Sequence, residues 1–197
     1  MKKLICLALL LLPCLAHAFG LDELQTQLRA TPIVRGHFVQ QKFLRSLPQP
    51  LTSRGDFTLS QGQGLLWLLR SPFTQELRIT PQGIAKRDEL GHWQALPRQV
   101  GTGRETRIFL AVLAGDTHGL QENFDIALAG EASAWTMTMT PNSALLRQIF
   151  NAIVIQGGAL VDRIELRETQ GDRTVLELTD AQAASQLTIE ETRAYAP

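Results

Sequence analysis

The sequence predicts a mainly β (α+β) domain, an incomplete and strongly curved antiparallel barrel of about eleven strands with helices lidding an apolar cavity. Three observations carry this. From Ile33 to Thr179 apolar residues recur mostly at every second position, the period of a strand. Turns bearing Gly or Pro separate the runs at short intervals, as hairpins require. Apolar side chains also exceed what one face of a small sheet can bury, most visibly between Arg54 and Gly83, RGDFTLSQGQGLLWLLRSPFTQELRITPQG.

Met1-Lys2-Lys3, an apolar run from Leu4 to Leu15 too short to cross a bilayer, and Ala16-His17-Ala18 form the three parts of a cleavable secretory signal. Residues 1–18 are expected to be removed, leaving 19–197 as one domain outside the cytoplasm. Cys6 and Cys14 both lie in this leader, and Cys14 follows Leu12-Pro13, a poor context for a lipid anchor. The remaining chain has no thiol for a disulfide or a Cys metal site. Two of the 19 Lys and Arg fall in the leader, so 17 basic residues face 19 acidic ones. That balance does not suit nucleic-acid binding, and no later apolar run has membrane-spanning length.

Leu21, Leu24 and Leu28 are spaced for a first helix over Phe19 to Ala30, with Asp22 and Glu23 in its first turn and Thr31-Pro32 after it. Strands follow at Ile33 to Leu44, Leu51 to Ser60, Leu65 to Arg70, Phe73 to Thr80, Ile84 to Asp88 and His92 to Leu96. In the fourth, Phe73, Gln75, Leu77 and Ile79 share a face. Gly101 to Gly115 breaks the pattern. A helix capped at Thr102 or Gly103 is expected there, ending at Gly115 and apolar around its whole girth, so it must be buried on most sides or cover a cavity. Strands resume at Phe124 to Leu128, Ala134 to Thr140, Leu145 to Gln156, Leu160 to Arg167 and Arg173 to Thr179. Trp135, Met137 and Met139 share one face and Thr136, Thr138 and Thr140 the other. Leu187 to Tyr195 suits a short helix.

Catalytic chemistry finds few candidates. His37, His92 and His118 sit on separate elements, without the spacing of a helical zinc pair, and no serine stands in a G-x-S-x-G elbow. The run Asp162, Arg163, Glu165, Arg167, Glu168 has the mixed charge of a solvated strand face. Gln61-Gly62-Gln63-Gly64 lacks the Lys-Ser/Thr of a phosphate loop and precedes a strand, so a hairpin turn is expected. The expectation is therefore of no enzyme, no cofactor and no metal, with apolar surplus as the functional clue. A filled core and a hydrophobic binding site have the same signature in sequence.

Val34, Gly36, Phe38 and Gln40 form a V-x-G-x-F-x-Q segment after an amphipathic helix. Gly55-Asp56-Phe57, the aromatic strand Leu65 to Trp67, Pro72 with Gln75, and a turn at Gly83 follow in order. In this order and spacing the chain resembles the periplasmic outer-membrane lipoprotein carrier proteins, the LolA-like group. The resemblance implies an incomplete barrel with helices over an apolar cavity, and a monomeric periplasmic carrier. That carrier would take acylated lipoprotein, or another lipid or polyene, from an inner-membrane exporter to an outer-membrane acceptor. It places Gln61 and Gly62 where founding carriers hold a lid-closing Arg-Pro, and the chain stops sooner after its last strand. Both departures point to a pathway-dedicated carrier and not the housekeeping one. A lipid-sensing regulatory module on the same fold, or an acyl-processing enzyme, are the alternatives.

The expected cavity residues are Phe38, Phe57, Leu59, Leu65, Trp67, Phe73, Leu77, Trp135 and Met137, with Ile108, Phe109 and Val112 from the lid helix and Gln61 and Gly62 at the latch turn.

Overall fold

The computed structural model describes residues 19–97, 108, 110–113 and 115–196. Helix α1 (Leu21–Arg29) starts at Gly20, whose N–H donates to the Glu23 carboxylate at 3.1 Å, and buries Leu24 and Leu28. Strands β1 (Ile33–Phe43), β2 (Leu51–Ser60), β3 (Gly64–Ser71), β4 (Gln75–Thr80), β5 (Gly83–Arg87) and β6 (Trp93–Ala95) follow as hairpins. Helical segment α2 comprises 108 and 110–113, and α3 is Thr117–Gln121. The chain then forms β7 (Phe124–Glu131), β8 (Ala134–Pro141), α4 (Ala144–Arg147), β9 (Phe150–Gly157), β10 (Val161–Glu168), β11 (Arg173–Ala184) and α5 (Ile189–Tyr195).

All eleven strands make one antiparallel sheet ordered β6-β5-β4-β3-β2-β1-β11-β10-β9-β8-β7, so β1 pairs with the last strand and the sheet stays open between β6 and β7. The register decides which residues face inward, because paired residues share a face. Val34, Leu59, Leu65 and Ile79 lie in one inward row, and Phe57, Trp67 and Leu77 in another. Across β11 the row continues from Phe38 through Leu178, and from Leu176 through Ile164 and Ile155 to Met137 and Leu128. The outward face of the second half is charged: Arg163 bridges Glu177 and Glu165, and Arg167 also donates to Glu165. The mixed-charge run is thus a solvated face.

The register also explains the two glycine–aromatic segments. Gly36 pairs with Phe57 and Gly55 with Phe38. A Cβ on Gly36 would sit 2.8 Å from the Phe57 ring, and one on Gly55 2.8 Å from the Phe38 ring. Each glycine is the space that its cross-strand aromatic fills, and Phe38 then stacks on Trp67 with centroids 3.6 Å apart and planes 19° apart.

Four sequence expectations are corrected. Leu145 to Gln156 is not one strand: the Ser143 hydroxyl caps α4 by accepting from the Leu146 N–H, and β9 starts only at Phe150. Phe73 precedes β4, which starts at Gln75. β11 runs on to Ala184, past a bulge opposite Arg35 to His37 that includes Asp180 at φ 52°. Finally, α5 exists but lies on the convex face, bonded to Arg35 and Thr58, whose side chains point away from Phe57 and Leu59. The expected cap at Thr102 or Gly103 lies outside the described residues.

Candidate binding cavity and its walls

The middle of the concave face is filled. Phe38, Phe57, Leu59, Leu65, Trp67, Trp135 and Met137 are all buried in one cluster with Leu24, Leu28, Val112 and Leu113 from the helices above. The void left between Leu28, Phe57, Leu59, Leu113 and Leu178 is about 20 Å³. That is room for one water, and its apolar walls keep it dry. Trp135 has a structural task as well: its indole N–H donates to the Gly158 carbonyl at 2.7 Å, the same oxygen that Gln27 of α1 reaches at 2.6 Å. Leu77 is half-buried beside this cluster. Phe73 lies in the β3–β4 loop with 58% of its surface exposed, away from the core.

Open space lies at the rim. A cavity of about 550 Å³ runs from the β2–β3 hairpin to the start of β7 beneath α2 and α3. Its walls are Leu59, Ser60, Gly62 and Gly64 from the hairpin and Pro81 from the next turn. Ile108, Leu110, Ala111 and Leu120 from the helices, with Phe124 and Leu146, complete them. Its polar wall residues are Ser60 on the hairpin and Asp116, Glu122 and Asn123 around α3, and no Lys or Arg lines it among the described residues. The volume suits a chain-like apolar ligand. A wider groove of about 710 Å³ along β4 to β6 is lined by Glu76, Lys86, Arg87, Asp88 and Glu89, charged and water-facing, and unsuited to an acyl chain.

The cavity exists because its walls are small or turn away. Gly64 has φ +131°, and a Cβ there would meet the Ile79 carbonyl oxygen at 2.1 Å, so the hairpin end approaches β4 as only glycine can. The roof is fixed by polar contacts with α1. Thr117 Oγ1 lies 2.5 Å from Gln25 Oε1, Arg29 approaches Asp116 at 3.8 Å, and the Asp116 carboxylate caps α3 through the Gly119 N–H. Gln61, at the latch position, makes a long contact of 3.5 Å from its amide nitrogen to the Leu28 carbonyl at the end of α1. At that length the bond is weak.

Of the expected cavity residues, Leu59, Gly62 and Ile108 line this space. Val112 faces the packed core, and Phe109 lies outside the described residues. Sequence reasoning passed over Gly64, Ala111, Leu120, Phe124 and Leu146. The available signals were the QGQG turn and the helix apolar on all sides, which mark the floor and roof of the cavity.

Ionisable groups are organised as surface pairs. His37 Nδ1 lies 2.8 Å from Asp56, whose other oxygen accepts from Arg70 at 3.0 Å. Burial alone would raise the Asp56 pKa, but these two partners hold it below the ordinary carboxylate range. The pair sits on the convex face, remote from the cavity. The side chain of His118 lies outside the described residues. Among those described, no group of three His, Cys, Asp or Glu could hold a metal ion, and no helix is long and apolar enough to cross a membrane.

The model of the outer membrane lipoprotein carrier protein LolA-like family matches residues 15–196. The chain belongs to this family. An outer-membrane lipoprotein carrier protein of Dechloromonas aromatica is 29% identical over 174 residues, which cover 87% of this chain and 75% of that one. The LolA-like fold recurs in the LolA superfamily protein NE2245 of Nitrosomonas europaea, with a TM-score of 0.50 at 8% identity over 91% of this chain and 99% of that one. A chain of the Pseudomonas aeruginosa MucA/MucB complex gives a TM-score of 0.52 at 15% identity over 87% of this chain, which spans 58% of its length.

Proposed function

We propose that residues 19–197 are a periplasmic carrier, delivered by the leader 1–18. The carrier holds the acyl chain of a lipoprotein, or of a related hydrophobic lipid or polyene, beneath α2 and α3 and conveys it toward the outer membrane. The observation that carries this is the rim cavity: a largely apolar space of about 550 Å³ beside a packed core, in a LolA-like chain. Each buried methylene contributes ~0.8 kcal/mol, so about fifteen carbons offer on the order of 12 kcal/mol before ordering costs. Such a site needs no hydrogen-bond code and no catalytic group, and non-enzymatic carriage fits the separation of the His37–Asp56 pair from the cavity. The weak Gln61 contact supports easier lid opening than a charged latch would give, as in a pathway-dedicated carrier exchanging cargo between an inner-membrane exporter and an outer-membrane acceptor.

Native mass spectrometry of protein isolated from the periplasm tests the carrier. A bound lipid mass, lost when Ala111 is enlarged, is the expected result. An empty protein that also ignores fluorescent acyl probes overturns the proposal. The likeness to a chain of the MucA/MucB complex favours one second reading, a lipid-sensing module that regulates a membrane partner. Lipid-dependent capture of one such partner, without cargo transfer between membranes, would establish it.

A further inference from the structure

The β2–β3 hairpin that floors the cavity is gripped more firmly from behind than from the front. On the convex side the Tyr195 hydroxyl lies 2.7 Å from the Thr58 carbonyl oxygen and 3.1 Å from that of Gly64. The Glu191 carboxylate accepts from Arg35 Nε at 2.5 Å, from Thr58 Oγ1 at 2.9 Å and from the Thr188 N–H at 2.7 Å. Arg78 of β4 donates to the Ala194 carbonyl at 3.0 Å and to that of Ala196. One short helix thus ties down β1, β2, β3 and β4. Gly64 faces both ways, with its carbonyl against Tyr195 on the back while the residue lines the cavity on the front. On the front, the hairpin tip is held by the Gln61 N–H on the Pro32 carbonyl at 2.8 Å and by the weak 3.5 Å side-chain contact.

We propose that α5 is a back-face clasp that positions the β2–β3 hairpin, and so the mouth of the cavity, with Tyr195 as its principal positioning residue. The inference rests on the carrier reading of the cavity. No residue of α5 is fully buried, and Glu191, Ala194 and Tyr195 are half-buried, so its attachment depends largely on these polar bonds, and such an attachment opens locally without unfolding the sheet. With the clasp closed, Gly62 and Gly64 stay in the cavity wall across from α3 and cargo is retained. With it open, the hairpin keeps its ladders to β1 and β4 but loosens at its tip, and cargo leaves sooner.

Tyr195→Phe keeps the ring and removes the hydroxyl. Hydrogen exchange of amides 57–66 should quicken about tenfold, ~1.4 kcal/mol of local opening, and a fluorescent acyl probe should dissociate faster by a similar factor. Exchange in β8 and β9 should stay unchanged. Glu191→Gln should act in the same direction, whereas Ile189→Ser, at a position 72% exposed on the same helix, should change neither reading. Unchanged hairpin protection in both clasp variants, or exchange that rises equally across the whole sheet, overturns the proposal. If wild-type protein takes up no probe, the carrier reading fails, and hairpin exchange alone decides the clasp.

Discussion

The middle of the concave face and its rim are both apolar, yet one is packed and the other open. In the middle, Phe38 stacks on Trp67 and cross-strand glycines admit the aromatic rings, leaving a void of about 20 Å³. At the rim Gly62 and Gly64 of the sheet face Ala111 and Gly119 of the helices across about 550 Å³ of free space. Stacked aromatic side chains therefore mark the packed region, whereas glycine and alanine set among larger walls leave the other region open.

Substitutions can break this comparison, and the largest effect is expected in the packed region. Trp67→Ala should cost about 3–5 kcal/mol of stability, read by denaturant unfolding, while the molecules that remain folded bind an acyl probe nearly as wild type. Loss of probe binding without loss of stability would return Trp67 to the binding site. At the rim the order reverses. Ala111→Phe should fill the cavity and weaken probe affinity about a hundredfold, near 3 kcal/mol of lost chain burial, with stability changed by less than about 1 kcal/mol.

A smaller effect concerns acid. Hydrogen bonds from Arg35 foremost, then from the Thr188 N–H and Thr58 and against the opposing pull of burial, lower the Glu191 pKa from 4.5 to about 2. A depressed carboxylate stabilises the fold fully above its unfolded value, and this contribution is lost as pH falls through the folded one. Wild type should therefore lose stability between pH 4.5 and about 2. Glu191→Gln should loosen the attachment of α5 by ~1–2 kcal/mol at neutral pH, read by hydrogen exchange of the hairpin, and the gap should narrow across that window. A gap constant with pH would show that the carboxylate is not the group responsible. Least of all should Phe73→Ser matter: exposed and outside both regions, it should shift stability by no more than about 0.5 kcal/mol and leave probe affinity unchanged.

The sheet was legible because its period is two almost throughout and its turns carry Gly and Pro, so the strand count and the LolA-like resemblance followed from pattern. The shared face of Trp135, Met137 and Met139 also held, since alternation fixes it once one face is buried. Three features were not legible. Phe73 continued the alternation of β4 but stands before its first ladder pair, and alternation alone does not show where hydrogen bonding begins. Ser143 caps a helical turn at the head of the expected strand, a side-chain bond that competes with extended structure. Expectation also placed the cavity among the largest apolar side chains, and most of those pack against one another. The open space follows from Gly62, Gly64 and Ala111, whose contribution is the volume they do not occupy. The side of the sheet taken by α5 depends on Arg35, Thr58 and Glu191 meeting across more than 130 positions of chain, which no local pattern encodes.

Photocrosslinking of a fatty-acyl chain carrying a terminal diazirine, with the labelled residues mapped by mass spectrometry, tests whether cargo occupies the rim and not the packed middle. Labels should fall on Leu59, Leu110, Ala111, Leu120, Phe124 and Leu146, and Ala111→Phe should abolish them. Labels on Phe38, Trp67 or Met137, persisting in Ala111→Phe, would contradict rim occupancy.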